Sequence, residues 1–265
     1  MAIITISRGT FAGGATLATL LGQRLGFRTV SREMLYHKAG EDFGVSDEEL
    51  AQIMTWTPSR RDPAVDQRRR LFVSIQAALC ALLQDDDVVY HGQAGHLLLP
   101  EIAHVVRVRL IAPRTKRIEM AIERETISAH QASCRIDQVD SRRSRWTEFV
   151  FGANWADPSL YDVVLNLDRM DLEDAAEIVR HTARLPAFRA TDESRCRLQD
   201  LALQSAVLAR LLGDSVTANL ELKVEACGGR VTLSGPVDSS RRQRVLEVAR
   251  QVEQASEVVL ADGSR

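Results

Sequence analysis

Short apolar runs alternate with amphipathic stretches over residues 1–183, and this alternation is typical of strands joined by helices. The runs predicted as buried strands lie at 3–6, 27–30, 88–91, 105–112 and 162–167. Helices are predicted at 17–25, 32–54, 65–83, from 114 into the 120s, 128–149 and 172–182, with a proline-punctuated loop at 57–63. Because strands that alternate with helices run parallel and are covered on both faces, we predict a three-layer α/β/α domain. Its ligands should bind at the carboxyl ends of the strands.

The pattern changes after residue 183. The stretch 184–197 contains Pro186 and six charged residues, so we predict a linker there. Beyond it, the periodicity predicts a helix at 198–212, strands at 217–225 and 230–234, a helix at 239–251 and a strand at 257–260. The turn Cys227-Gly228-Gly229 is a hairpin signal. We therefore predict one domain at 1–183, a linker at 184–197 and a small α+β domain of order αββαβ at 198–265.

Composition narrows the classes of function. The 265 residues are 45% hydrophobic and 26% charged, as in an ordinary globular protein. A formal net charge of −2 gives no overall attraction to nucleic acid, so we expect no nucleic-acid partner and look for an anion site in a local group of arginines. No apolar run approaches the ~20 residues of a transmembrane segment, and no secretory signal is visible. Four scattered cysteines without a CxxC pair favour reduced thiols and a cytoplasmic location.

A glycine-rich turn between the first strand and the first helix points to a particular ligand chemistry. Its sequence is Ser7-Arg8-Gly9-Thr10-Phe11-Ala12-Gly13-Gly14-Ala15-Thr16. Glycines allow backbone N–H groups to turn around an anion, and the following helix directs its positive end at the same place. The phosphate-binding pattern GxxxxGK[ST] is followed only at Gly9 and Gly14, and the lysine that neutralises the β- and γ-phosphates is missing. The turn predicts phosphate binding and leaves catalysis open.

Segments in a fixed order along the chain resemble the cytidylate kinase-like branch of the P-loop nucleoside monophosphate kinases. Each segment is weak alone, but the ordered set covers most of the first 180 residues. The segments are Ile4–Arg8 with Ala12–Gly14, Ser31–Leu35, Gly92–Ala94, Val108–Pro113, Asp140–Arg143, Phe151–Pro158 and Tyr161–Asn166.

This resemblance implies a nucleoside triphosphate, ATP with Mg²⁺, on the first loop and a nucleoside monophosphate such as CMP or dCMP in a neighbouring cleft. The loop residues implied in cofactor binding are Ser7, Arg8, Gly9, Thr10, Ala12, Gly13, Gly14, Ala15 and Thr16. The hydroxyl of Thr16 is also a candidate magnesium ligand because the residue begins the helix, and the alternative is that it bonds a free N–H there. The residues implied in acceptor binding are Arg32, Gly92 and Gln93.

The resemblance also implies an arginine-rich lid. Phosphoryl transfer needs positioning and cationic stabilisation, and the arginine fork grips phosphate with two parallel hydrogen bonds. Arg143 matches the family's D-x-x-R position, with Asp140 as its partner. The catalytic candidates are Arg8, Arg117, Arg124, Asp140 and Arg143. The alternative for Arg117 and Arg124 is a solvated helix face with partners such as Glu119 and Glu123.

Some charges differ from the pattern of the family. Its members have Ser-Arg at the end of the strand and Gly-Gly where the standard loop has Gly-Lys, so Arg8 is expected to supply the charge of the missing lysine. Ala15 and Gln93 replace arginines of many members, and Ser31 replaces an aspartate. Fewer charged contacts would slow phosphoryl transfer by orders of magnitude and could leave nucleotide binding intact.

The C-terminal segment resembles the BON module of bacterial osmotic-stress and secretion proteins. The match rests on Val224–Val237, Arg241–Val252 and Val258–Val259. Relatives are proposed to bind phospholipid or partner proteins, so a lipid or protein partner is implied. Arg241, Arg242, Arg244 and Arg250 would face that partner, although arginines also occur on any solvated helix.

Three hypotheses follow. The first is an ATP-dependent nucleoside monophosphate kinase, and the second is a nucleotide sensor without efficient catalysis whose lid state is read out by the BON module. The third is a structural interaction protein with a vestigial loop. The aromatic residues Trp146, Phe149, Phe151 and Trp155 are expected to anchor the lid and the last helix to the core rather than to stack on a base.

Overall fold

The computed structural model describes residues 2–46, 48–50 and 65–261. The described residues form two compact units. One contains 2–32 and 85–190, and the other contains 33–46, 48–50, 65–84 and 191–261. The described residues between 33 and 84 therefore group with the C-terminal segment. The domain limits predicted from the sequence, at 183 and 198, stay a prediction.

The elements follow one another in the alternation that the sequence predicts. The strands are β1 (Ile3–Arg8), β2 (Arg28–Ser31), β3 (Val88–His91), β4 (Val105–Ile111), β5 (Val163–Asn166), β6 (Lys223–Cys227), β7 (Arg230–Ser234) and β8 (Glu257–Leu260). The helices are α1 (Gly14–Leu25), α2 (Arg32–Phe43), α3 (Val65–Leu82), α4 (Gly95–Leu98), α5 (Arg114–Glu125), α6 (Ala129–Phe151), α7 (Leu172–Thr182), α8 (Asp192–Gly213) and α9 (Ser239–Ala249). Short 3₁₀ turns lie at Pro158–Leu160 and Pro186–Phe188.

The first unit is built on a five-stranded sheet of order β2-β3-β1-β4-β5, in which every pairing is parallel. This confirms the predicted α/β class. The central strand β1 lies between β3 and β4, and its last residues Ser7 and Arg8 pair with Arg109 and Leu110. The glycine-rich turn therefore leaves the sheet at the carboxyl end of its central strand, where ligands of parallel sheets bind.

The core of this unit lies between one face of the sheet and the helices α1 and α7. Ile4 and Ile6 are fully buried there, and Leu17 and Leu21 of α1 pack on them. Because side chains alternate along a strand, the intervening Thr5 and Ser7 point to the opposite face. The packing of this apolar face holds β1 in place, and the glycine-rich turn follows the end of β1.

Two predicted elements of this half of the chain differ from the structure. The helix predicted at 32–54 ends at Phe43, because Gly44 adopts φ 62° and its N–H bonds the carbonyl of Gly40 at 2.9 Å. The strand predicted as buried at 162–167 is the edge strand β5, and Val164 is 39% exposed. Residues 51–54 of that helix and the loop predicted at 57–63 lie outside the described residues.

The second unit contains the small sheet β6-β7-β8, with β6 antiparallel and β8 parallel to β7. The order of α8, the three strands and α9 is the predicted αββαβ. Its core is formed by α8, α9 and one face of the sheet, and its fully buried members include Val207, Val231, Leu233, Val245 and Ala249.

Two boundaries in this segment were predicted wrongly. The helix α8 begins at Asp192 instead of residue 198, because Thr191 and Ser194 form a capping box. Residues 192–197 of the stretch predicted as a linker therefore belong to α8. The strand predicted from residue 217 begins at Lys223, since the hydroxyl of Thr217 donates to the carbonyl of Leu211 at 2.6 Å and holds the chain in a turn.

The helix α3 packs against α8 within this unit. Val73 of α3 shares a buried cluster with Ala209 and Leu212 of α8. Arg69 extends the contact to the sheet segment, donating from Nη2 to the carbonyl of Leu222 at 3.2 Å. A helix that lies 120 residues earlier in the chain thereby becomes part of the core around α8.

Candidate functional site

The loop between β1 and α1 has the backbone of an anion-binding turn. Gly13 precedes the helix with φ 80° and ψ 12°, a left-handed conformation that glycine adopts without strain. Among the residues that the structure describes, no side chain caps the N-terminus of α1, and the first turn of this helix contains no acidic residue. The first N–H groups of the helix therefore keep their partial positive charge for a ligand.

The side chain of Arg8 fills the space beside Gly14. A Cβ atom added at Gly14 would lie 2.7 Å from Cδ of Arg8 and 3.0 Å from its Nε. From there the guanidinium donates from Nη1 to the carbonyl of Gly92 at 2.8 Å. Arg8 can take this path only because position 14 carries no side chain.

Two residues from the helices after β4 reach the same loop. The carboxylate of Asp140, on α6, accepts from the backbone N–H of Thr10 at 3.0 Å and from its hydroxyl at 2.7 Å. Arg117, on α5, donates from Nε to the carbonyl of Thr10 at 2.8 Å and from Nη2 to the other oxygen of Asp140. The loop, α5 and α6 are thus joined through one carboxylate.

Arg143 lies one turn beyond Asp140 on α6 and completes the group. Its Nη1 donates to the carbonyl of Arg8 at 3.2 Å and to the hydroxyl of Thr10 at 3.1 Å. The pKa of its guanidinium falls to about 10, first because the side chain is buried and then because of the charge of Arg8. Arg32 and Arg117 add to the repulsion, and Asp140 opposes it. We call Arg8, Arg32, Arg117 and Arg143 the loop arginines.

A buried polar cluster lies on the other side of β1. The indole Nε1 of Trp155 donates to the hydroxyl of Ser7 at 2.9 Å. Arg109, which is 8% exposed, donates to the carbonyl of Trp155 and to the hydroxyl of Tyr161 at 3.2 Å. Its guanidinium also lies 4.4 Å from the ring centroid of Trp155. This cluster fixes the segment after α6 to the end of β1.

His96 packs on the ring of Tyr161 at 4.6 Å between centroids and is 4% exposed. Burial lowers the pKa of its imidazole to about 3, and the charges of Arg107 and Arg109 lower it as well. The imidazole is therefore neutral at physiological pH.

A model of the cytidylate kinase-like family matches residues 3–169, which is more than half of the chain. The chain belongs to the cytidylate kinase-like family. A BON domain model matches residues 199–260, so the resemblance of the C-terminal segment is also confirmed.

Individual relatives support the same assignment. A cytidylate kinase of Methanopyrus kandleri is 26% identical over 186 residues, which are 67% of this chain and 91% of the relative. A cytidylate kinase of Ignicoccus hospitalis is 28% identical over 183 residues, covering 68% and 98% of the two chains. The crystal structure of an uncharacterised protein from Eubacterium ventriosum matches with a TM-score of 0.55 and 16% identity, covering 69% and 97%, and supports the fold alone. The protein is thus kinase-like and of the P-loop type.

The structure brings most of the residues that the cytidylate kinase-like pattern singles out to one place. Contacts join Arg8, Thr10, Gly92, Arg117, Asp140 and Arg143 at the loop. Arg32 joins them through its charge on Arg143. Ser7 precedes Arg8 on β1 and contacts Trp155 instead. The glycines at 9, 13 and 14 and Ala12 and Ala15 supply the turn and the start of α1.

Three predicted residues are placed differently. Arg124 is exposed in the last turn of α5, away from the contacts of Arg117. Thr16 is the third residue of α1 rather than its first, and it is exposed. Both polar atoms of the Gln93 side chain are buried without a hydrogen-bond partner in the described part of the chain.

Sequence reasoning missed Arg109 and the role of Trp155 at Ser7. It assigned Ser7 to the cofactor, whereas the structure engages its hydroxyl with Trp155. A signal was present, because Arg109 interrupts the apolar run 105–112, which is unusual for a central strand. The expectation that the aromatic residues anchor the lid and the last helix to the core stays a prediction, and the edge-to-face contact of Trp146 and Phe151, at 5.6 Å between centroids, lies within α6.

The described residues contain groups that suit a nucleotide phosphate but no cluster of side chains that suits a metal ion. No group of three or more His, Cys, Asp or Glu side chains that could hold an ion occurs within 2–46, 48–50 and 65–261. The N–H groups at the start of α1 and the loop arginines are suited to a polyphosphate, and the Thr16 hydroxyl stays a candidate ligand for magnesium beside the phosphate oxygens. Across the same described residues, no helix is long and apolar enough to cross a membrane.

The contact of Arg8 with Gly14 predicts a coupling between these residues. Gly14→Ala should destabilise the wild-type protein, because the new methyl group displaces the Arg8 side chain. In an Arg8→Ala background the same change should be neutral or slightly stabilising, since alanine favours the helix. Urea unfolding of the double-mutant cycle should give a coupling of about 1 kcal/mol. Additive effects would contradict the packing.

The burial of neutral His96 predicts a pH dependence of stability. The folded-state pKa of about 3 lies below the unfolded value, so the unfolded chain alone takes up a proton as the pH falls below about 6.5. As the pH falls from 7 to 5, protonation of His96 in the unfolded chain should lower the free energy of unfolding by about 2 kcal/mol. His96→Phe should remove that part of the pH dependence in urea titrations. His37→Phe is the control because His37 is exposed, and an unchanged profile for His96→Phe would refute the prediction.

Proposed function

We propose that this protein transfers the γ-phosphoryl group of ATP to a nucleoside monophosphate of the CMP or dCMP type. The observation that carries the proposal is that the positively charged side chain at position 8 lies in the space left by the glycine at position 14. In the family's pattern Gly13-Gly14 stands where the standard loop has Gly-Lys, so in this alignment Gly14 takes the place of the lysine at the start of α1, and the side chain of Arg8 occupies the space that a side chain there would need. A permanent positive charge is thus supplied beside the phosphate cradle.

Further charges would act on the transferring group. Arg117 and Arg143 contact the loop from α5 and α6, and transfer of a phosphoryl group depends on cations that balance its equatorial oxygens. Arg32, which begins α2, is proposed to hold the acceptor phosphate together with the segment at Gly92 and Gln93. Bound magnesium would bridge phosphate oxygens and neutralise developing charge. The names of the cytidylate kinases that this chain resembles support the choice of a cytidine acceptor.

A coupled assay with ATP, Mg²⁺ and each nucleoside monophosphate tests the proposal. Turnover should be highest with CMP or dCMP. Arg8→Ala should lower kcat by about a hundredfold or more, since it removes a preorganised charge from the site. The exchange variant Arg8→Gly with Gly14→Lys should recover at least part of that loss, because it returns the charge to the standard position.

Arg24→Ala is the matched control. Arg24 lies about 15 Å along α1 from Gly14, where it pairs with Glu173 and Glu177, and its loss should leave kcat unchanged. Equal losses in Arg8→Ala and Arg24→Ala, or no turnover with any acceptor, would contradict the kinase proposal.

A second candidate is a nucleotide sensor with weak catalysis that is read out through the BON domain. The observation that favours it is the packing of α3 against α8, because the described residues 33–46, 48–50 and 65–84 belong to the same compact unit as the C-terminal segment. The losses at Ala15, Ser31 and Gln93 point in the same direction. Arginines of α9 are partly engaged, Arg244 with Asp214 and Arg241 with Asp238, so we propose a protein rather than a lipid as the partner of this domain.

Thermal unfolding with a panel of nucleotides separates the two candidates. A ligand that binds the native state raises Tm. At a ligand concentration of a hundred times its Kd, the free energy of unfolding rises by about 2.7 kcal/mol. A clear rise with ATP and no turnover would favour the sensor. A rise together with turnover supports the kinase. Unchanged Tm at millimolar nucleotide would refute both.

A further inference from the structure

The carboxylate of Asp140 occupies the phosphate-binding loop in the manner of a ligand. One oxygen accepts from the N–H and the hydroxyl of Thr10, at 3.0 and 2.7 Å, and the other accepts from Arg117. A loop N–H and an arginine fork are the two kinds of donor that bind a phosphate group. Asp140 therefore uses the contacts that a phosphate would need.

The surrounding charge explains why an anion belongs at this place. The charges of Arg8, Arg32 and Arg117 all lower the pKa of Arg143. Asp140 raises that pKa, and its carboxylate lies 3.8 Å from Nη1 of Arg143. The carboxylate thus relieves repulsion that a bound polyphosphate would relieve more completely, because a polyphosphate carries more negative charge.

We propose that Asp140 is an internal anion that holds α6 on the loop when no nucleotide is bound, and that a nucleotide phosphate displaces it. This inference rests on the proposed binding of a nucleoside triphosphate at the loop. Displacement costs the hydrogen bonds of the carboxylate, so Asp140 lowers the apparent affinity for the nucleotide. An Asp140 that only orients Arg117 and Arg143 for phosphate would raise the affinity instead. The two roles have opposite signs.

The test is calorimetric titration of the full-length protein with inorganic triphosphate, and then with ATP, at fixed ionic strength. Asp140→Asn keeps the shape of the side chain and removes its charge. The variant should bind inorganic triphosphate about tenfold more tightly than wild type, because charge-assisted hydrogen bonds no longer have to be broken. Without ligand, the same variant should have a lower Tm, and the difference from wild type should shrink at saturating triphosphate.

Asp137→Asn is the matched control. Asp137 lies three residues earlier on α6, carries the same charge and pairs with Arg114 at 2.6 Å. Its replacement should leave the Kd of triphosphate close to the wild-type value. Equal tightening in both variants would show a general effect of net charge and would overturn the inference.

The remaining outcomes separate the inference from the proposed function. Weaker binding by Asp140→Asn, with normal binding by wild type, would overturn the inference alone and assign Asp140 an orienting role. Failure of both proteins to bind triphosphate and ATP would refute the proposed function. If Asp140→Asn does not fold, the ¹³C shift of the Asp140 carboxyl group in wild type serves instead. It should change on addition of triphosphate, and an unchanged shift at saturation would overturn the inference.

Discussion

The loop depends on one steric exclusion between two residues. A side chain at position 14 and the path taken by Arg8 compete for the same space, since a Cβ at Gly14 would lie 2.7 Å from Cδ of Arg8. With glycine at this position, the positive charge reaches the loop from the end of the strand rather than from the start of the helix. The carbonyl of Arg8 also accepts from Arg143. The charges of the loop and of α6 therefore belong to one cluster, and any anion at the loop acts on both.

The pattern of apolar and polar residues predicted those helices and strands whose ends are set by neighbouring residues in the sequence. The bounds of β3 and α7 coincide with the prediction, because a bounded apolar run and a clear helical period set their ends. The prediction failed where a single polar side chain decides. The hydroxyl of Thr217 delays a strand, and the cap at Thr191 extends a helix into a charged stretch. The edge position of β5 depends on the order of strands, which no window of the sequence contains.

For the site, motifs identified the residues but could not identify their pairing. Arg8, Asp140 and Arg143 follow from family segments, whereas the bond between Arg117 and Asp140 joins residues on two helices. The anchoring of Trp155 on Ser7 spans 148 positions and depends on Arg109, a charge in an apolar run. Such contacts follow from the tertiary structure, since they arise when the ends of separate strands meet.

The absence of an arginine at position 15 has to be judged together with the arginines that lie near the loop. An arginine at Ala15, the second residue of α1, would add a fifth positive group to a cluster in which three neighbours already lower the pKa of Arg143. Repulsion of that kind must be balanced before a ligand arrives, and the carboxylate of Asp140 supplies one negative charge for the purpose. A smaller cluster needs less balancing and leaves the loop more accessible to phosphate. The loss at Ala15 is therefore compatible with nucleotide binding, and the proposed phosphoryl transfer would draw its positive charge from Arg8, Arg117 and Arg143.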